Sequence, residues 1–227
     1  MCDQNGKPPP RPIAGYPVAL TEFVHADVRI AVCRVASLEQ LVDREALLRD
    51  DVVPEPPYWA HLWIGARALA RHLAEAGTLA GQRVLDLGCG LGLPGLVAAA
   101  LGAEVCFVDR AAPALEFVRA SARRNGFENV RCVELDFVER SLESRFDLIL
   151  CAELVYEPKS YRPLCDFLDA HLEPSGVIQL TDAFRSDAQS FFAELRARGF
   201  DGTRLARLEW EDGRPQGLFL WSFRRSG

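Results

Sequence analysis

The chain has 227 residues, 49% of them hydrophobic, which suits one catalytic-sized domain with a sizeable core and terminal additions. Its 26 Lys and Arg against 32 Asp and Glu leave a net charge of −6, which argues against a general affinity for nucleic acid. The seven cysteines include no close Cys-x-x-Cys pair, so they read as buried reduced thiols of a cytoplasmic protein, not as a disulfide frame or zinc site.

Met1 to Pro12 lacks the apolar core of a secretory signal and, through residue 15, reads as a loose Pro-rich tail. Residues 16–57 are expected to form an N-terminal β/α extension. Val18 to Val35 is β-branched and partly alternating, as in a hairpin, Ser37 caps a helix to about Leu48, and the acidic, Pro-containing stretch Asp50 to Pro57 is a linker. Residues 58–227 make the main domain. It opens with Trp59, Leu62, Trp63, Ala66, Ala70 and Leu73 at helical spacing, predicting one apolar-faced helix to about Ala76. Strands and helices then alternate: strand Arg83–Leu87, helix Pro94–Leu101, strand Glu104–Val108, helix Ala112–Asn125, strand Val130–Leu135 and strand Phe146–Ala152. Helix Ser160–His171, strand Val177–Thr181, helix Asp187–Arg198 and strands Arg204–Glu209 and Leu218–Phe223 complete the series. Such alternation predicts an α/β doubly wound, mostly parallel sheet covered on both faces. The uncharged run Leu87–Ala103 is shorter than the ~20 residues of a membrane helix and is interrupted by glycines and Pro94, so no membrane span is expected.

The strongest motif is Val84-Leu85-Asp86-Leu87-Gly88-Cys89-Gly90-Leu91-Gly92, an apolar strand entering a Gly-rich turn that opens a helix. A turn this tight needs unusual φ values, and bare backbone lets its amides hold an anionic group such as a carboxylate. Asp86 supplies the opposite charge, suiting an ammonium or an ordered water. Asp109, 23 residues on, ends the second strand and is placed for the two hydroxyls of a ribose. After the third strand Asp136 can accept from an adenine amino group while the Phe137 ring covers the base. Together these describe a nucleoside joined to an amino acid.

Asp-x-Gly-x-Gly-x-Gly, the acidic end of the second strand and the Asp after the third resemble the Rossmann-like class I methyltransferases, over roughly Gly81 to Phe223. That resemblance implies a seven-stranded sheet with its last strand antiparallel, and S-adenosyl-L-methionine as cofactor with S-adenosyl-L-homocysteine as product. It implies cofactor contacts at Asp86, Gly88, Gly90, Asp109 and Asp136, to which Cys89, Gly92, Arg110, Phe137 and Ala152 are added, and no metal. A second reading stays open, because Gly90-x-Gly92-x-x-Gly95 also satisfies a dinucleotide fingerprint. A nicotinamide enzyme, however, needs a second mononucleotide-binding half for which the residues after Asp136 leave little room.

The fourth strand runs through Ala152 into Glu153-Leu154-Val155-Tyr156, at the sheet edge where ligands bind. Glu153 is the candidate acceptor for a substrate amine and Tyr156 the candidate wall of its slot, with a cap and a core residue as the alternatives. Pro57-Tyr58-Trp59-Ala60-His61-Leu62-Trp63 together with Glu153 to Tyr156 resembles the seven-β-strand protein lysine methyltransferases, among them the branch that modifies the electron-transfer flavoprotein β-subunit. Where that branch has Asp-x-x-Tyr this chain has Glu153, a form associated with related histidine methyltransferases, so the resemblance implies a protein lysine or histidine acceptor. Trp59 and Trp63 are assigned to cofactor packing or to the core, and His61 is given no catalytic role. A small-molecule N- or O-methyltransferase and a non-catalytic binding relative are the competing classes, and a monomer or weak dimer is expected.

Overall fold

Along each central strand alternate residues point to opposite faces, and both faces are apolar, so the sheet must be covered twice. Val84, Phe107, Leu148 and Leu150 enter one buried cluster, whereas Leu85, Leu87, Val108, Ile149 and Cys151 enter another. The computed structural model describes residues 11–41, 57–127, 130–182, 188–211 and 213–226.

The elements in chain order are β1 (Val18–His25), β2 (Val28–Val35), α1 (Ile64–Ala76), β3 (Arg83–Leu87), α2 (Leu93–Ala100), β4 (Glu104–Asp109) and α3 (Ala112–Arg124). They continue with β5 (Arg131–Glu134), β6 (Phe146–Ala152), α4 (Tyr161–His171), β7 (Leu172–Asp182), α5 (Ala188–Ala197), β8 (Phe200–Glu211) and β9 (Arg214–Arg225). Seven strands form one sheet in the order β5-β4-β3-β6-β7-β9-β8. All pairings from β5 through β7 are parallel, and β9, last in the chain, runs antiparallel to both β7 and β8. After β3 the chain builds outward through β4 and β5, then returns to lay β6 on the other side of β3. A crevice opens at such a switch point, beyond the carboxyl ends of the strands.

Helices α1, α2 and α3 contribute Leu69, Leu73, Leu96, Val97, Leu115 and Val118 to the first cluster. Helices α4 and α5 contribute Leu164, Phe167, Leu168, Phe191 and Leu195 to the second. The hairpin β1–β2 lies on the first face, with Phe23, Ile30 and Val32 in that cluster. Its inner edge bonds to a helix in place of another strand. Ala31 N–H donates to Asn125 Oδ1 (2.9 Å), Asn125 Nδ2 donates back to Ala31 O (2.8 Å), and Cys33 N–H donates to Ser121 Oγ (2.9 Å).

Two expectations are revised. The helix predicted from Trp59 begins only at Ile64, because a short 3-10 turn at Tyr58–Ala60 is followed by extended backbone at His61 and a non-helical Trp63. The two terminal strands are longer than expected and pair residue for residue from Phe200↔Arg225 to Glu211↔Arg214. Of the helix expected after Ser37, a 3-10 turn at Leu38–Leu41 is described, and the remainder, like residues 50–56 of the linker, lies outside the described residues. The six described cysteines are unpaired thiols, buried apart from the half-buried Cys132. No helix among the described residues is long and apolar enough to cross a membrane.

Candidate active site

At the switch point a cleft of about 810 Å³ is walled by four chain segments that follow β3, β4, β5 and β6, and by the aromatic stretch from Pro57 to Trp63. That size is ordinary for a small-molecule site.

The floor is the Gly-rich turn. Gly88, Gly90 and Gly92 have φ of 63°, 52° and 73°, a left-handed run that side chains resist. Gly90 also faces the Trp59 carbonyl, which a Cβ would approach to 3.1 Å, so backbone and not side chain forms this wall. Gly95, the third glycine of the dinucleotide pattern, is required by packing, since a Cβ there would overlap the Phe107 ring.

Asp86 and Asp109 hold this turn from opposite sides. By strand alternation Asp86 points under α2, is 1% exposed, and its Oδ2 accepts from Gly95 N–H (2.9 Å) in the first turn of that helix, whose cap position is Gly92. Burial pushes its carboxyl up from 3.8 to about 7, with the Asp109 charge adding to the rise. Asp86 is not among the residues that line the cleft, and through Gly95 N–H it supports the turn from behind. Asp109 does line the cleft. Its Oδ2 accepts from Gly90 N–H (2.8 Å) and its Oδ1 from Ala111 N–H (2.9 Å), tying the first and second loops together. Burial raises its pKa against the lowering effect of these amides. The Arg110 amide acts on the same carboxylate, whose remaining acceptor capacity suits a ligand hydroxyl. Between them the Cys89 thiol is driven well up by burial and by both carboxylates, so it is a neutral part of the wall.

Asp136 and Phe137 line the far side, where Asp136 Oδ1 accepts from Val138 N–H (2.9 Å) and the Phe137 ring packs on Phe167 at 6.2 Å. This wall is anchored by the buried His171 of α4. Its Nδ1–H donates to Ser144 O (2.9 Å) and its Nε2 accepts from Ser141 Oγ (2.8 Å) and Leu142 N–H (3.3 Å), a pattern that requires the neutral ring. Arg110 and Ala152 also line the cleft.

On the β6 side Glu153 is one of three non-glycine residues with positive φ among the described residues, at 51°. Such strain costs about 1–3 kcal/mol and gathers at functional sites. Its Oε1 accepts from Gly65 N–H (2.7 Å), so the carboxylate caps the start of α1, whose own cap residue, Trp63, offers no side-chain acceptor. Glu153 therefore caps a helix 88 residues earlier, not the one that follows it, while still lining the cleft. Tyr156 stands at the mouth, 41% exposed. Trp59 and Trp63 part company: the Trp59 ring packs against Tyr16 and Phe117, whereas Trp63 sits at the mouth and donates from Nε1 to Tyr58 O (2.9 Å). Tyr58, legible from the sequence only as part of the ring-dense stretch Pro57 to Trp63, and His61, given no catalytic role, also line the cleft, while nothing in the sequence signals Gly65 as the partner of Glu153.

A cradle of bare glycine backbone with Asp109 and Asp136 at successive strand ends suits an adenosyl amino acid. Comparison with known proteins agrees. Residues 58–153 match the family model of the methyltransferase small domain. The chain is 37% identical over 149 residues to the protein N-lysine methyltransferase METTL21A of Danio rerio, covering 61% of this chain and 67% of that protein. It is 33% identical over 126 residues to the electron transfer flavoprotein beta subunit lysine methyltransferase of Xenopus laevis, covering 53% of this chain and 50% of that one. The solved structure of the N-methyltransferase NodS from Bradyrhizobium japonicum WM9, in complex with S-adenosyl-L-homocysteine, aligns with a TM-score of 0.60 at 18% identity. It covers 84% of this chain and 97% of that one, and at this identity the likeness is one of fold.

Proposed function

We propose that this chain, which belongs to the class I S-adenosylmethionine-dependent methyltransferases, methylates a lysine side chain of a cytoplasmic protein. The observation that carries a nitrogen acceptor is Glu153, whose carboxylate stands on the cleft wall just past β6 in a strained conformation and suits an N–H of either lysine or histidine. The substrates named for METTL21A and the flavoprotein enzyme support a protein lysine.

S-adenosylmethionine, when bound, supplies a methyl group made electrophilic by its sulfonium. The residues here bind, orient and exclude water. Backbone amides of Gly88 to Gly92 suit the amino-acid carboxylate, Asp109 the ribose hydroxyls, and Asp136 with Phe137 the adenine. Asp86 keeps the turn in shape for this task. Glu153 orients the acceptor amine from the cleft wall. It is not the group that removes the proton, because a neighbouring carboxylate raises the ~10.4 pKa of a lysine ammonium. Water takes that proton, and Tyr156 lines the path along which the side chain enters.

The test is incubation with labelled S-adenosylmethionine and a cell extract, followed by hydrolysis and mass spectrometry of labelled protein. Label recovered as methyl-lysine supports the proposal, and label only in methyl-histidine or in small metabolites overturns it. Glu153→Ala and Tyr156→Phe are each expected to lower transfer while leaving cofactor affinity largely intact.

A further inference from the structure

Three large rings stand together at the mouth of the cleft. Tyr58 lies 6.1 Å from Trp63 and 6.0 Å from Tyr156 between ring centres, with interplanar angles of 47° and 54°. Both tyrosines are well exposed, at 45% and 41%. His61 meets the Trp63 ring edge-on at 4.8 Å. Exposed aromatics that group around a cleft mark a binding surface. Their tilt matters, because rings inclined at about 50° open an angle whose interior faces more than one π-surface at once.

The rim is also held in shape before any ligand arrives. The Trp63 indole is fixed by its bond to Tyr58 O, and two residues on, Gly65 N–H is held by Glu153. Preorganised rings lose little freedom on binding. The cleft below carries the carboxylates Asp109, Asp136, Glu139, Glu153 and Glu157, against Arg110 and Lys159, and Lys159 is paired to Glu157 at 2.7 Å. The occupant that suits acid below and π-faces above is a cation with an apolar skin.

We propose that Tyr58, Trp63 and Tyr156 form a subsite for an alkylammonium group, which selects an amine acceptor by binding it as its cation before water takes the reacting proton, and binds the methylated ammonium products in the same way. This deepens the lysine reading of the preceding section and rests on it. A cation within about 6 Å of a ring centre is attracted by the ring quadrupole, and the attraction strengthens as water is displaced. A neutral imidazole or phenol gains none of it.

The experiment compares two probes by calorimetry on the intact chain. One is the N-acetyl amide of Nε-trimethyllysine, and the other is its neutral isostere with carbon in place of the quaternary nitrogen. Wild type should bind the cation about tenfold or more tightly than the isostere. Tyr58→Leu, Trp63→Leu and Tyr156→Leu should each shrink that ratio severalfold, and Tyr156→Phe should keep it, with thermal unfolding confirming that each variant is folded. Equal affinity for the two probes, no saturable binding of either, or a ratio untouched by all three leucine variants would overturn the subsite. Neither probe is methylated, so the outcome is separate from the labelling test. Loss of the cation preference with methyl-lysine still formed defeats the rim alone, whereas the preference without labelled protein defeats the protein-substrate reading alone.

Discussion

Replacing Gly65 by alanine sets helix propensity against tertiary packing. Glycine near the start of a helix is ordinarily less favourable than alanine by about 0.5–1 kcal/mol, so propensity alone says Gly65→Ala stabilises. In the fold, a Cβ at Gly65 would lie 2.5 Å from Glu153 Cγ and 2.5 Å from Thr181 Oγ1. Thr181 is fully buried, and Glu153 is tethered by the very bond it receives from Gly65 N–H. Relieving the overlap costs about 1–3 kcal/mol as overpacking, and losing the Glu153 cap costs about 1 more. Against the propensity gain the net loss is about 1–3 kcal/mol, or a fall in Tm of about 2–12 °C for a domain of this size. Glu153 must swing from the cleft wall, so methyl transfer should fall with the Tm while the Kd for S-adenosylhomocysteine stays near wild type. Thermal unfolding, steady-state methylation and calorimetry on the same preparation read all three. The double variant with Glu153→Ala should lose less stability than the sum of the singles, since the clash and the cap share one partner. A rise in Tm for Gly65→Ala, or strict additivity in the double variant, would refute this account of how the helix is joined to the site.

Asp109→Ala removes the acceptors of Gly90 and Ala111 N–H together with those offered to a ribose, so the Kd for S-adenosylhomocysteine should rise about tenfold or more, and an unchanged Kd would sink the assignment. Asp86 ionises at about 7 in the fold against an ordinary 3.8, so between about pH 4 and 7 the native state holds a proton that the unfolded chain has released. Its contribution therefore grows more destabilising as pH rises through that window and levels off above it. Asp86→Asn, which keeps an acceptor for Gly95 N–H, should gain on wild type in urea unfolding from pH 5 to pH 8, and a gap that does not change with pH would contradict the burial. His171→Phe fills the volume but strands Ser141 Oγ, Leu142 N–H and Ser144 O. It should cost about 1–3 kcal/mol in urea unfolding and weaken cofactor binding by loosening the wall that carries Asp136, whereas a neutral result would show that His171 does not anchor it.

The amino-acid order determined much by itself. Strands β3 and β6 begin and end where the apolar runs do, because their boundaries are local: Gly-rich turn chemistry closes one, and a change from apolar to charged residues closes the other. The left-handed turn at Gly88, Gly90 and Gly92 was legible for the same reason, as were Asp109 and Asp136 at strand ends. Other features depended on partners distant in the chain. Asp86 reads from the sequence as a cofactor contact, and only the fold shows that its place on the strand also turns Oδ2 under α2, where the first turn needs an acceptor that Gly92 lacks. Trp59 to Ala76 reads as one helix by periodicity, but α1 starts at Ile64, where Glu153 from beyond β6 supplies the cap. The anchoring of the Asp136 wall by His171 is equally long-range. Periodicity and turn residues report what each segment prefers alone. Which orphaned backbone groups find an acceptor is decided only when distant segments meet, and here those meetings shape the cleft.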